Sequence, residues 1–160
     1  MEGVIKINSD GSIREEDGVA STGGVARDSE VFKAAWCKLY RGISEPLVIE
    51  ALALRDAVLF AKENLYGRVT FESDCAELVR LWFDRNNQRA IIAPLLQEIE
   101  ELSIHFVSFS IKHVRRSANS VAHECARYAC VHHASMVWVG ASPQFLKHCI
   151  QADGGSAILS

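Results

Sequence analysis

The order of strand-like and helix-like segments limits the fold more than any other feature of this sequence. Three strand-like segments come first, at residues 4–10, 18–27 and 31–40. Short polar stretches join them, and one of these contains the turn-favouring pair Asp28-Ser29. Consecutive strands with short connections are typical of an antiparallel meander. We therefore expect the chain to begin with three antiparallel strands.

A long helix follows the meander, because apolar residues then recur at every third or fourth position: Leu47, Ala51, Leu54, Val58, Ala61 and Leu65. Two more strands are predicted beyond it, alternating with helices. These later segments are strands at 68–74 and 105–113, and helices at 76–83, from Pro94 onward and at 119–133. A meander followed by strand–helix units predicts an α/β fold whose five-stranded mixed sheet is flanked by helices.

The length of 160 residues suits a single domain. We expect that domain to span residues 1–134, with a C-terminal extension at 135–160 that is partly docked and partly flexible. The docked part would use four apolar side chains, Val137, Trp138, Leu146 and Ile150. The glycine- and serine-containing end, residues 151–160, would be the flexible part.

The charge balance excludes one way of binding nucleic acid. The chain has 17 Lys and Arg against 20 Asp and Glu, a net charge of −3. Such a chain does not hold nucleic acid by bulk positive charge. It can still handle phosphates through metal ions.

The sequence contains no apolar run long enough for a membrane span and no export signal in its first thirty residues. We expect an intracellular protein, in the nucleus or cytoplasm, that is monomeric and does not bind membranes. Its five cysteines are therefore expected to be unpaired. One alternative is a zinc site among late residues, although their spacing fits no standard pattern: Cys130, His132, His133, His148 and Cys149.

Three acids occupy positions where functional sites of such sheets gather. Asp10 closes the first predicted strand before Gly11, Glu50 lies early in the long helix, and Asp74 closes the fourth strand. If the three converge, their mutual repulsion requires a cation, and hard divalent cations prefer oxygen ligands. The alternative is structural, because acids at helix starts also cap helices and favour the helix dipole.

Five motifs in order give this chain a resemblance to the ribonuclease H family. They are Asp10-Gly11, residues 23–28 (GGVARD), 50–54 (EALAL), 72–75 (ESDC) and 113–123 (HVRRSANSVAH). Each motif alone is weak, but the ordered set is specific. It is most similar to the plant ribonuclease H-like branch, whose members occur alone or at the end of retroelement reverse transcriptases.

The resemblance implies a function and a set of site residues. Asp10, Glu50 and Asp74 would bind Mg²⁺ or Mn²⁺, with two ions, and cleave the RNA strand of an RNA–DNA hybrid. Asn119 would bind substrate or hold the last helix, and as a residue before a helix it is also a good cap. Five residues form the expected substrate-binding set: Gly11, Lys112, Arg115, Arg116 and Asn119. Arg14 and Arg27 could touch the nucleic-acid backbone, but an ordinary solvated surface is the better interpretation for both.

Two histidines belong to the expected catalytic group. His113 matches the family's mobile-loop histidine, which would help the attacking water or product release; otherwise it merely ends a strand. His123 stands where the family has a fourth carboxylate. It would bind a metal, orient water or shuttle a proton, or be a bystander. Glu124 is about 100° away around the helix and is a poor replacement.

Two other hypotheses about the function remain open. One is a noncatalytic module that binds nucleic acid or protein with the same fold, which His123 and the low positive charge favour. The other is the terminal domain of a retroelement polyprotein. The three retained acids favour catalysis over a binding module, and a partner chain or domain would help an enzyme with so few basic residues.

Overall fold

The computed structural model describes residues 3–87 and 90–152. Within them, six strands and five α-helices follow one another in this order: β1 Ile5–Arg14, β2 Val19–Asp28, β3 Val31–Arg41, α1 Pro46–Glu63, β4 Arg68–Ser73, α2 Ala76–Phe83, α3 Ala93–Ser103, β5 Ser108–His113, α4 Ser120–His132, β6 Met136–Val139 and α5 Gln144–Ala152. No helix in these two ranges is long and apolar enough to cross a membrane.

The strands form one mixed sheet in the order β5-β4-β1-β2-β3-β6. The first three strands pair antiparallel, whereas β4 pairs parallel with both β1 and β5. This confirms the predicted meander and mixed sheet. The strand count was wrong, because β6 pairs antiparallel with the outer edge of β3 and adds a sixth strand. A four-residue strand with mostly exposed side chains leaves little pattern in a sequence.

The first strand is longer than its residues suggested. Gly11 was expected to end it, but β1 continues to Arg14 and stays paired with β2 throughout. The reason is the hairpin register, which runs unbroken from Ile5 opposite Asp28 to Arg14 opposite Val19. Asp10 therefore lies within β1, one residue beyond the last pair that β1 forms with β4, which is Ser9 opposite Ser73.

The helix α1 packs on one face of the sheet together with α2 and α3. Ala51, Leu54, Val58 and Ala61, four of the six residues in the predicted stripe, are fully buried there. Leu65 is an exception: the helix ends at Glu63, and Leu65 is exposed with a positive φ of 59°. The stripe thus predicted the buried face correctly and the helix end two residues too late.

The helices α4 and α5 cover the opposite face. Val121 of α4 and Leu146 and Ile150 of α5 are fully buried against Val25 and Phe32 of the sheet. Among the expected docking residues, Trp138 is half-buried and Val137 is exposed. Residues 153–160, most of the segment expected to be flexible, lie outside the described residues, and the boundary at 134 stays a prediction.

Two consecutive glycines of β2 have close neighbours, one on each face of the sheet. A Cβ atom added to Gly23 would collide with the backbone of Cys125 and Ala126, and one added to Gly24 would collide with the Trp36 ring. Neither a helix backbone nor a buried indole can move aside at low cost. Gly23 therefore sets how closely α4 approaches the sheet, and Gly24 leaves room for the Trp36 ring on the opposite face.

This contact predicts the effect of an added methyl group. We expect Gly23→Ala to lower the free energy of unfolding by about 3 kcal/mol, because the methyl overlaps helix backbone. Gly67→Ala is the matched control, since its Cβ would meet only Val107 at an ordinary 3.8 Å. Urea denaturation of both variants measures the difference. Equal stability of the two variants would contradict the packing described.

Candidate active site

The sheet brings the three predicted acids together. Asp10 lies in β1, Asp74 follows the end of the neighbouring β4, and Glu50 lies near the start of α1, which crosses over both strands. One carboxylate oxygen from each lies within 4.8 Å of the others. Across residues 3–87 and 90–152, this is the one group of three or more His, Cys, Asp and Glu side chains close enough to share a metal ion.

The Glu50 carboxylate is held from one side only. The backbone N–H of Gly11 donates to Glu50 Oε1 at 2.9 Å. A Cβ atom on Gly11 would lie 2.9 Å from Ile49 Cγ2 and 3.0 Å from Glu50 Oε1, so a side chain there would disturb this contact. Glu50 Oε2 is buried and has no hydrogen-bond partner in the described part of the chain. A buried oxygen in that condition is costly unless something else binds it.

The cluster is electrostatically unfavourable by itself. Burial, and then the neighbouring Asp74 carboxylate, raise the pKa of Asp10 above its usual value. Burial, and then the charge of Asp10, raise the pKa of Glu50 to about 9. A bound divalent cation would attract the carboxylate charges and so offset both the cost of burial and the repulsion between neighbouring carboxylates. These oxygen donors are the type that Mg²⁺ and Mn²⁺ bind. The donor set and the unpartnered oxygen therefore fit a hard divalent cation.

Both predicted histidines lie at this edge of the sheet. His123 is the fourth residue of α4. Its Nδ1 atom lies 3.0 Å from Asp10 Oδ2, and its side chain is 55% exposed. His113 ends β5 opposite Ser73, the residue before Asp74, and is exposed. One histidine thus touches the acidic cluster directly, while the other stands on the strand beside it.

An open cleft of about 470 Å³ lies in front of the acids. Asp10, Gly11, Asp74, Arg116, Ser117, Ser120 and His123 line it. Arg115 and Lys112 are exposed nearby on the chain, and Lys112 Nζ lies 3.4 Å from Glu72 Oε2. Ser117 and Ser120 were not predicted as site residues, although both fall inside the motif at 113–123. Nothing in that motif distinguishes them from ordinary loop serines.

Asn119 and Arg27 are interior residues. Asn119 is 1% exposed, precedes α4 without a capping hydrogen bond from its side chain, and donates instead from Nδ2 to the Ser9 carbonyl at 2.9 Å. Arg27 is 2% exposed and donates to Asn8 Oδ1 at 3.2 Å. The surface position expected for Arg27 was therefore wrong, because a partner on β1 makes its burial possible. Arg14 pairs with Asp17 at 3.1 Å, as a surface arginine does.

All five cysteines lie in the described part of the chain and are free. The zinc alternative fails within the described residues. Its five candidate residues all lie in that part of the chain, and no metal-binding group forms among them.

The sequence and the fold were compared with known proteins. The family model described as reverse transcriptase-like matches residues 8–129. No curated protein sequence matches this chain.

Solved structures share the fold. RNase H1 from the archaeon Halobacterium salinarum has a TM-score of 0.69 at 21% identity, covering 82% of this chain and 100% of that one. An N-terminal RNase H domain from Mycobacterium tuberculosis has a TM-score of 0.69 at 18% identity, covering 83% and 100%. LC11-RNase H1, isolated from compost and solved with an RNA/DNA hybrid, has a TM-score of 0.68 at 19% identity, covering 81% and 98%.

The raised carboxyl pKa values predict how stability depends on pH without metal. A carboxyl whose pKa is higher in the folded than in the unfolded chain destabilises the fold as pH rises between the two values. For Glu50 that window runs from 4.5 to about 9. We therefore expect Glu50→Gln, in EDTA at pH 7, to raise the free energy of unfolding by at least about 1 kcal/mol.

The control is Glu63→Gln, which removes an exposed carboxylate from the same helix. Urea titrations between pH 5 and pH 9 should show the gap between Glu50→Gln and wild type widening with pH, while Glu63→Gln follows wild type. A gap that stays constant or narrows would contradict the electrostatic description of the cluster.

Proposed function

This chain belongs to the reverse transcriptase-like family and has the ribonuclease H fold, and we propose that it is a ribonuclease H-type endonuclease that cleaves the RNA strand of RNA–DNA hybrids. The observation that carries the proposal is the cluster of Asp10, Glu50 and Asp74, with one buried Glu50 oxygen left without a partner. A cluster of three mutually repelling carboxylates has no evident use in a protein that only binds.

The three carboxylates would hold the divalent metal. The resemblance implies two ions, Mg²⁺ or Mn²⁺, held by Asp10, Glu50 and Asp74. Such ions supply an activated water and stabilise the charge that develops on the oxygens of a phosphodiester. The Gly11 N–H keeps Glu50 Oε1 in place and leaves Oε2 for the metal.

The histidines would move protons and orient groups around that centre. His113 is exposed on β5 beside Asp74, which suits a residue that receives a proton from water or helps the product leave. His123 contacts Asp10 Oδ2 and would orient that carboxylate or add an imidazole ligand. Its position on α4 makes it the counterpart of the family's fourth carboxylate.

The substrate would lie across the cleft. Arg116 lines it, and Arg115 and Lys112 are exposed on the same segment, so these three side chains would contact phosphates. Gly11 also lines the cleft, so its backbone would lie near the bound nucleic acid. The 2′-hydroxyl groups and minor-groove shape would distinguish RNA from DNA. The RNA/DNA hybrid bound by LC11-RNase H1 supports this substrate class.

A noncatalytic module is the second candidate, since the family's fourth carboxylate is replaced by His123, whose ring contacts Asp10. That contact would occupy an oxygen that an enzyme needs for its metal. The two candidates differ in whether Asp10 is needed for a chemical step or not.

Cleavage of a labelled RNA–DNA hybrid tests the enzyme directly. With Mg²⁺ or Mn²⁺ we expect the 5′-labelled RNA strand to be cut into shorter labelled products. Asp10→Asn should reduce kcat more than about a hundredfold, because it removes a carboxylate that would hold the metal. Asp84→Asn, an exposed position outside the cluster, should cleave like wild type. Metal-independent hybrid binding with no cleavage under either metal would support the module instead.

Salt dependence tests the substrate surface. Each phosphate contact that is lost reduces the slope of log K against log salt by about one. We expect Arg116→Ala and Arg115→Ala each to weaken hybrid binding and to flatten this slope, measured by fluorescence anisotropy. Arg68→Ala is the control, because Arg68 is exposed at the opposite end of β4. An unchanged slope in both cleft variants would place the substrate elsewhere.

A further inference from the structure

A buried polar cluster lies directly beneath the three acids. Its four members, here called the Asn8 network, each belong to a different part of the fold: Asn8 in β1, Arg27 in β2, Glu72 in β4 and Asn119 just before α4. All four are at most 6% exposed. Four polar side chains buried together are costly unless their hydrogen bonds fit one another closely.

The network is in register with the acids. Asn8 lies opposite Glu72 in the parallel ladder between β1 and β4. Since side chains alternate along a strand, Asn8 shares a face with Asp10, and Glu72 lies on the same side of β4 two residues before Asp74. This pair therefore lies two residues before the candidate metal ligands on both strands.

The donors and acceptors of the network allow only one orientation of its amides. Arg27 Nη2 donates to Asn8 Oδ1 at 3.2 Å, and Asn8 Nδ2 donates to Glu72 Oε1 at 3.0 Å. Because a guanidinium only donates and a carboxylate only accepts, the Asn8 amide cannot be reversed. Its second N–H then donates to Asn119 Oδ1 at 3.1 Å, with the Ala118 carbonyl as a longer second acceptor at 3.4 Å. This directs Asn119 Nδ2 to the Ser9 carbonyl, 2.9 Å away.

The last contact ties α4 to the acid beside it. The Asn119 carbonyl accepts from the backbone N–H of His123 at 3.1 Å, and His123 Nδ1 lies 3.0 Å from Asp10 Oδ2. Ser9 and Asp10 are neighbours in β1. The contacts therefore form a closed path from Ser9 to Asn119, then to His123, and then to Asp10, the neighbour of Ser9 in the chain. Asn8 orients the Asn119 amide in this path.

We propose that Asn8 and Glu72 are positioning residues, whose buried hydrogen bonds orient Asn119 and so hold His123 against Asp10. Their effect on the His123–Asp10 contact stands by itself, while their effect on catalysis rests on the proposed function. Glu72 has a second link, from Oε2 to Lys112 at 3.4 Å, which the proposal does not require.

The contact can be measured without activity or metal. In metal-free protein, long-range ¹H–¹⁵N spectra report the His123 imidazole nitrogens, and Asp10→Ala gives their shifts when the contact is absent. We expect Asn8→Leu, which has a similar size but no hydrogen bonds, to move the His123 shifts most of the way to the Asp10→Ala values. Wild-type shifts that already equal those of folded Asp10→Ala would overturn the proposal.

Two substitutions at Glu72 separate positioning from general damage. Glu72→Gln keeps an oxygen that can accept from Asn8 while losing the ion pair with Lys112, so the His123 shifts should stay at their wild-type values. Glu72→Leu removes the acceptor and should behave like Asn8→Leu. Tyr40→Phe is the control for losing a hydrogen bond elsewhere, because Tyr40 OH donates to Asp56 Oδ2 at 2.7 Å in a separate network. If folded Asn8→Leu or Glu72→Leu keeps wild-type shifts, the proposal fails.

Kinetics then test the catalytic consequence. Loss of an orienting partner commonly reduces activity by ten- to a hundredfold, and we expect Asn8→Leu to lower kcat about tenfold with KM little changed. In a His123→Ala background the same substitution should have no further effect on kcat. An equal loss in both backgrounds would show a structural role and would overturn positioning through His123. An inactive wild type with the expected spectra would reject the proposed function alone.

Discussion

The parallel pairing of β1 with β4 is the constraint on which the candidate site depends. The ladder stops at Ser9 and Ser73, yet β1 continues beside β2 for five more residues. Asp10 is thus the first β1 residue without a partner on the β4 side, and Asp74 is the first residue after β4. Since α1 connects β3 to β4 and packs over β1, Glu50 falls onto the same point. The gap where two parallel strands part is where the acids meet.

Holding three carboxylates there requires the fold to be rigid around them. The three groups repel one another. Burial also raises the free-energy cost of the Asp10 and Glu50 charges, as the raised pKa values of these two carboxyls reflect. Three features hold the acids in place: the Gly11 N–H, the His123 ring and the hydrogen-bonded Asn8 network beneath them. The close approach of α4 to Gly23 of β2 fixes the side from which His123 arrives. The packing of α4 on β2 and the hydrogen bonds from β1 to Asn119 thus fix the same contact, the one between His123 and Asp10.

Sequence patterns predicted the parts of this arrangement that depend on local periodicity. The bounds of α2, the buried stripe of α1 and the meander all follow from the spacing of apolar residues. Positions that depend on distant partners were missed. Gly11 looks like a strand breaker unless its pairing with Thr22 is known, and β6 is too short to produce a pattern. Arg27 and Glu72 look like surface charges until Asn8 is placed between them.

The exchange of a carboxylate for His123 changes the charge balance of the proposed centre. Three carboxylates carry three negative charges, so two divalent ions would leave the centre with one positive charge. A fourth carboxylate would cancel that charge, whereas a neutral imidazole does not. A centre that keeps one positive charge is complementary to the single negative charge of a phosphodiester, and metal ions dominate the field at such sites. In the proposed enzyme this attraction would act in the cleft itself, which suits a chain whose net charge of −3 gives it no general attraction for nucleic acid.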